Sequence, residues 1–254
     1  MLYMMFSAFF PERYYSASVS SLGVLLPLHR GCSVQKLLVL LLLFFGVGIC
    51  NAVKAEMILF ESGMIGETDL PISELLNQNV PGINVNDSIF IGVRFQLDQP
   101  VETTAIGGHF VGGIGGTFFG GIVQLDDEND FPDSANLSTD DVLGITEFAF
   151  PEVSDEVFGD ISLSLEPGNY ALVFGSGLFG VQGSGVAVGN NPDIGNTAYI
   201  SRTADGVWIN LQGTSIPFEN FRLTVEGLVV PEPSMLLLGL SALLSTMSLR
   251  RPNR

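Results

Sequence analysis

The run from Ile89 to Leu97, IFIGVRFQL, puts Ile89, Ile91, Val93, Phe95 and Leu97 on one side of an extended chain, with Arg94 and Gln96 on the other. Successive side chains of a strand point to opposite faces, so this alternation describes a strand with one face against a core. The same period recurs downstream. Ile161, Leu163 and Leu165 alternate with Ser162 and Ser164, and Tyr170, Leu172 and Phe174 resume the pattern after a Pro167-Gly168-Asn169 turn. Val207, Ile209 and Leu211 repeat it, as do Phe221, Leu223 and Val225 against Asn220, Arg222, Thr224 and Glu226. Period-two runs separated by Gly, Pro, Asn and Asp read as half-buried antiparallel strands. Helical periodicity is confined to Pro71 to Asn79, around Ile72, Leu75 and Leu76, with Asp69 as the expected N-cap. Many strands and little helix predict an all-β fold, a β-sandwich of jelly-roll type.

The strands occupy residues 56–230, which is long enough for a single domain with a sizeable core. Upstream, Leu37 to Cys50 is an uncharged apolar run preceded by Lys36 and followed by Val53-Lys54-Ala55. A basic residue, an apolar core and small residues at a cut site are the parts of a secretory signal, with cleavage expected after Ala55 and Val53 as the second small residue. Residues 1–55 therefore read as an upstream extension plus signal peptide. Ile49 stands where a lipidated cysteine would need a small neighbour, so ordinary cleavage is favoured over lipidation of Cys50. With Cys32 and Cys50 both upstream, the domain has no cysteine, and neither disulfides nor thiolate metal sites can hold it together.

The charge of residues 56–230 is one-sided. Arg94, Arg202 and Arg222 face twenty-five carboxylates, a net charge of −22, and lysine is absent from this segment. Binding to a phosphate backbone needs clustered cations, so nucleic acid is excluded as a partner. Asp126, Asp127, Glu128, Asp130 and Asp133 crowd into one loop, and hard oxygen ligands at this density could hold Ca²⁺. A charge run more often stays in water, and Phe131-Pro132 stands where an EF-hand loop would turn on glycine, so a solvated loop without cofactor is the expectation. Glu152, Asp155, Glu156 and Asp160 form a second cluster of the same kind.

Catalytic candidates are few. His109 is the single histidine of the domain, which rules out a three-histidine metal site, and no G-x-S-x-G elbow accompanies it. Its glycine and apolar neighbours suggest a histidine at a strand end or turn. Gly175 to Gly180 fits G-x-G-x-x-G after a strand, but VQGSGVAVGN does not continue as a helix, so a glycine-rich turn is the better reading. The Gly-Gly pairs beginning at 107, 112, 115 and 120 are expected at the ends of short strands. Paired carboxylates of a glycoside hydrolase cannot be localised among so many acids. Trp208, with Tyr170 and Tyr199, is the candidate glycan contact if its indole is exposed.

After residue 230 come Pro231-Glu232-Pro233, then the uncharged run Met235 to Leu249, then Arg250, Arg251 and Arg254. The prolines end the preceding strand, the run approaches the length of a membrane span, and the arginines hold its end on the cytoplasmic side. This order of parts resembles the PEP-CTERM sorting signal of Gram-negative bacteria. That resemblance implies a C-terminal transmembrane sorting helix in residues 231–254, recognition by an intramembrane exosortase, and cleavage near Pro231-Glu232-Pro233. It further implies delivery from the inner membrane to the cell surface or extracellular matrix. TAIGGHF and GTFFGGIVQL from Thr104 to Leu125, LEPGNYALVFGSGLFG from Leu165 to Gly180, and the closing FRLTVEG of Phe221 to Gly227 are similar to sequence in ectodomains of the same family. The function expected is a structural or polysaccharide-associated role in the envelope or biofilm matrix. A glycan-binding module and a carbohydrate-active hydrolase are the alternatives.

Overall fold

A computed structural model describes residues 56–189, 198–211 and 221–230, all within the unit Lys54–Arg254. In chain order the elements are β1 (Met57–Glu61), α1 (Ile72–Asn77), β2 (Gly82–Val85), β3 (Phe90–Leu97), β4 (Val101–Leu125), β5 (Val142–Ala149) and β6 (Asp155–Asp160). There follow β7 (Ser164–Leu165), β8 (Gly168–Gly175), β9 (Gly183–Val188), β10 (Ala198–Arg202), β11 (Trp208–Asn210) and β12 (Leu223–Val229). The fold is all-β and antiparallel, with one helix among the described residues.

The element that organises the rest is β4, twenty-five residues long. Its first part, Val101 to Gly116, pairs with β12, β7, β6 and β9. Its second part, Thr117 to Leu125, pairs with β5 and β8. One strand thus belongs to two ladders. The first ladder carries β1 outside β12, and β2 outside β9; the second continues from β8 through β3 and β10 to β11. The changeover falls at a register shift between Gly112 and Gly115. Gly115 and Gly116 there have φ of 83° and 92°, a region that costs any residue with a Cβ.

The glycine pairs therefore do not end short strands as the sequence suggested. They lie inside one long strand, where Gly115 and Gly116 supply the positive φ of a bend as expected and packing explains Gly107 and Gly120. A Cβ on Gly120 would fall 2.5 Å from the Phe174 ring and 2.8 Å from that of Phe148. A Cβ on Gly107 would meet Phe158 at 2.6 Å and the Val157 carbonyl at 2.4 Å. These aromatic rings approach the strand closely because the glycines leave room for them.

The apolar faces meet in one cluster. Ile91, Val93, Phe95 and Leu97 of β3 join Tyr170, Leu172 and Phe174 of β8, as the alternation predicted, and Leu223 and Val225 of β12 reach the same cluster from the first ladder. Phe110 packs 5.1 Å from Phe174, and Phe118 stacks on Phe150 at 4.2 Å and on Phe148 at 4.9 Å. The Tyr199 hydroxyl of β10 reaches the carbonyl oxygens of Phe221 at 2.6 Å and Ser62 at 2.9 Å, tying the second ladder to the first. Each fully buried Phe contributes about 1.5–3 kcal/mol of transfer free energy, and this aromatic cluster stands in for the missing disulfides.

The opposite faces are covered as well. Over the first ladder α1 sets Leu75 against Val111 and Val188. The N-cap position is Pro71, with no side-chain cap, whereas Asp69 sits at φ 63° and donates its backbone N–H to Ser154 O at 2.7 Å. The expected Asp69 cap is thus replaced by a cross-link to the chain before β6. Over the second ladder, the segment between β4 and β5 lays Phe131 and Leu137 onto Phe90, Phe119, Val123, Val173 and Ile200.

Candidate functional site

The acidic loop after β4 folds largely on its own carboxylates. Asp127 Oδ1 accepts the N–H of Asn129 at 2.7 Å, Asp130 Oδ2 accepts that of Asp126 at 3.1 Å, and Asp130 Oδ1 that of its neighbour Phe131 at 2.8 Å. Asp133 donates its own N–H to Asp141 Oδ2 at 2.9 Å. The proximity of Asp141, then slight desolvation of this exposed group, then Asp126 and Asp130 push the Asp133 carboxyl above its ordinary range. The loop is clamped from beneath by Arg94, which is buried, donates from Nε to Asp130 O at 2.6 Å and lies 4.5 Å above the Phe131 ring. Burial lowers the Arg94 guanidinium, and the charges of Asp130 and Asp127 oppose that shift. Glu128 stands at the loop's exposed tip. Among the described residues no group of three or more His, Cys, Asp or Glu is arranged to hold a metal.

Trp208 belongs to this same region. Its indole N–H donates to Ser134 O at 3.3 Å and its ring lies 6.4 Å from Phe90, so it is half-buried beneath the acidic loop. Val207 is 52% exposed, while Ile209 packs against the main core. The indole is therefore partly covered and its N–H is engaged.

A second charged constellation, on the outer face of the first ladder, joins an arginine from the polar side of a strand to Glu156 of the second acidic cluster and to Glu61, which carried no signal in the sequence. Arg222, just before β12, donates from Nε to Glu156 Oε1 and from Nη1 to Glu61 Oε2, each at 2.5 Å, and from Nη1 to Gly63 O at 2.9 Å. Thr224 Oγ1 adds a longer contact to Glu156, and buried His109 stands opposite Glu156 in the β4–β6 register. His109 is therefore a mid-strand residue, not one at a strand end. Burial alone would lower the Arg222 guanidinium, but the hydrogen bonds and charges of Glu156 and Glu61 outweigh it and raise it. Burial, with Glu56 and Glu156, lifts the Glu226 carboxyl against the opposing pull of Arg222. Glu156 thus belongs to an ion triad, and its cluster mates Asp155 and Asp160 stay exposed on β6.

A polar concavity lies elsewhere. An open cleft of about 840 Å³ forms where β4 changes ladder, lined by Asn86, Asp87, Gln182 and Ser184 with glycine backbone and the fully projecting Ile114. The Gly175 to Gly180 stretch forms one wall as a turn, with φ of 77° at Gly177 and 88° at Gly180, and leads into β9 without a helix. Ser176 ties this turn to its neighbours, its Oγ donating to Thr117 O of β4 at 3.1 Å and accepting from Gly183 N of β9 at 2.9 Å. This cleft can present amide, carboxylate and hydroxyl groups to a polar chain but holds no nucleophile paired with a base.

Val53, Ala55, Pro231, Glu232, Pro233, Arg250 and Arg251 lie outside the described residues. No helix among the described residues is long and apolar enough to cross a membrane. Comparison with protein-family models, with curated proteins and with solved structures finds no match to this chain.

Proposed function

We propose that the chain is an exported envelope or extracellular-matrix protein, a β-sandwich of jelly-roll type whose C-terminal PEP-CTERM-like signal directs it to an exosortase-type enzyme. The observation that carries this reading is the order of the tail, Pro-Glu-Pro, apolar run, arginines, set directly after the last strand. A signal segment would bring the domain across the inner membrane, and the tail would hold it there until cleavage near Pro231-Glu232-Pro233. Intact mass and terminal sequencing of protein from cells and from medium test it. Ends near Glu56 and Pro231 are expected in the medium, and a tail found intact in every fraction would remove the sorting reading.

At its destination the domain acts as a structural, polysaccharide-associated protein without catalysis. The polar cleft beside Ile114 supports contact with a neutral polysaccharide more than Trp208 does, because the indole is already engaged. Affinity electrophoresis in gels containing matrix polysaccharide should show retardation that Gln182→Ala reduces; unchanged mobility of the wild type in every gel would leave only the structural role. The hydrolase alternative needs two free carboxylates across a groove, and Glu61 and Glu156 are both engaged by Arg222. Release of reducing ends from a polysaccharide panel would restore it.

A further inference from the structure

The end of the first ladder where β12 stops is unusually close, along the chain, to the apolar run. Val229 pairs with Val101, and Val230 still donates its N–H to Pro100 O at 3.0 Å. Only Pro231 to Ser234 separate Val230 from Met235. Fully extended, the chain from Val230 to Met235 spans about 17 Å. Roughly 5–8 Å of that length must cross the headgroup layer if Met235 opens the hydrocarbon segment. What remains, about 10 Å, is shorter than the seven-residue strand β12 itself.

We infer that this end of the domain rests on the lipid headgroups while the tail is attached, an inference that depends on residues 231–254 being a membrane segment. The surface there suits a lipid of no net charge. β1 runs antiparallel to β12 with Met57 opposite Gly227, so Met57 and Ile58, 51% and 44% exposed, project at the same end. Glu102 lies opposite Leu228, and Glu166 follows Leu165, which pairs with Val101. Arg222 is spent on its two glutamates, and lysine is absent from residues 56–230, so among the described residues this end holds no cation to attract an anionic headgroup. The apolar pair supplies the contact and the acids select against negative lipid. The domain is therefore held in one orientation before processing, with the cleft beside Ile114 turned away from the membrane, thirteen residues further along β4 than Val101.

The test uses residues 56–254, the chain with its signal segment removed and its tail kept, which has no cysteine of its own, reconstituted in phosphatidylcholine vesicles that contain a headgroup spin-labelled lipid. A fluorophore is placed on Gln99→Cys, in the exposed turn beside Pro100, or on Ile114→Cys at the far end. Quenching at position 99 should exceed that at 114 several-fold, fall when twenty Gly/Ser residues are inserted after Val230, and weaken when phosphatidylglycerol replaces a third of the lipid. Equal quenching at the two positions on vesicle-bound protein, or quenching at 99 that the insertion leaves unchanged, overturns the inference while leaving the tail a membrane anchor. A chain that stays in solution overturns both the membrane reading of the tail and the placement built on it.

Discussion

At Arg222 the fold buries a full positive charge and surrounds it with Glu61, Glu156 and the Gly63 carbonyl. Taking one partner from a buried ion pair leaves the others unpaired at a cost of about 3–5 kcal/mol. Arg222→Met should lower the stability of the domain by that amount, read from the urea midpoint, and a change under 1 kcal/mol would mean that water already compensates the two glutamates. Asp133 presents the opposite case, a carboxyl raised by Asp141 and its other acidic neighbours. A raised carboxyl favours the folded state below the unfolded pKa, and that contribution is lost as pH rises through the folded pKa. Asp133→Asn should therefore melt higher than wild type at neutral pH, with the gap closing as pH falls below the ordinary carboxylate range. A gap independent of pH would assign the effect to the loop's hydrogen bonds instead.

Within single elements, position decides cost. In α1, Leu75 is 4% exposed against Val111 and Val188, whereas Leu76 is 69% exposed. Leu75→Ala should cost about 2–4 kcal/mol and Leu76→Ala under about 0.5 kcal/mol, by chemical denaturation. In β4, Gly115 and Gly116 share a positive φ, but only at Gly116 would a Cβ strike backbone, 2.3 Å from Gln182 O. Gly115→Ala should lose about 1 kcal/mol from its φ alone, and Gly116→Ala distinctly more. Equal losses would mean that β4 and the chain before β9 can separate at the changeover.

Over the whole molecule, three arginines and twenty-five acids in residues 56–230 make self-repulsion the dominant long-range term. At 0.1 M salt, repulsion between exposed charges more than about 10 Å apart is largely screened. The melting temperature should rise with NaCl, and Mg²⁺ and Ca²⁺ should raise it equally at matched ionic strength. A Ca²⁺ effect larger than that of Mg²⁺ and lost in Asp133→Asn would reveal a specific site, because a ligand stabilises by its affinity for the folded state.

For β3, β8 and β12 the sequence by itself determined the strand and the side that faces the core, because a period of two needs only local geometry. Ile91 to Leu97, Tyr170 to Phe174 and Leu223 to Val225 illustrate this. The unbroken length of β4, by contrast, was not legible, and Ile161 to Leu163 precede the two-residue β7. The sequence also carries everything said of the signal segment and the tail, where composition and order are the whole argument. What it could not show is what covers the other side. Arg94, Arg222 and Trp208 stand on the polar or ambiguous faces of their strands and read as solvent-facing or undecided. Only the tertiary structure brings the acidic loop over Arg94 and Trp208, and the turn after β1 over Arg222. Gly107 and Gly120 were misjudged for the same reason, since a glycine required by a ring from a distant strand looks locally like a glycine required by a turn. Burial of a second face is a long-range event, set by segments far apart in sequence, and no local period records it.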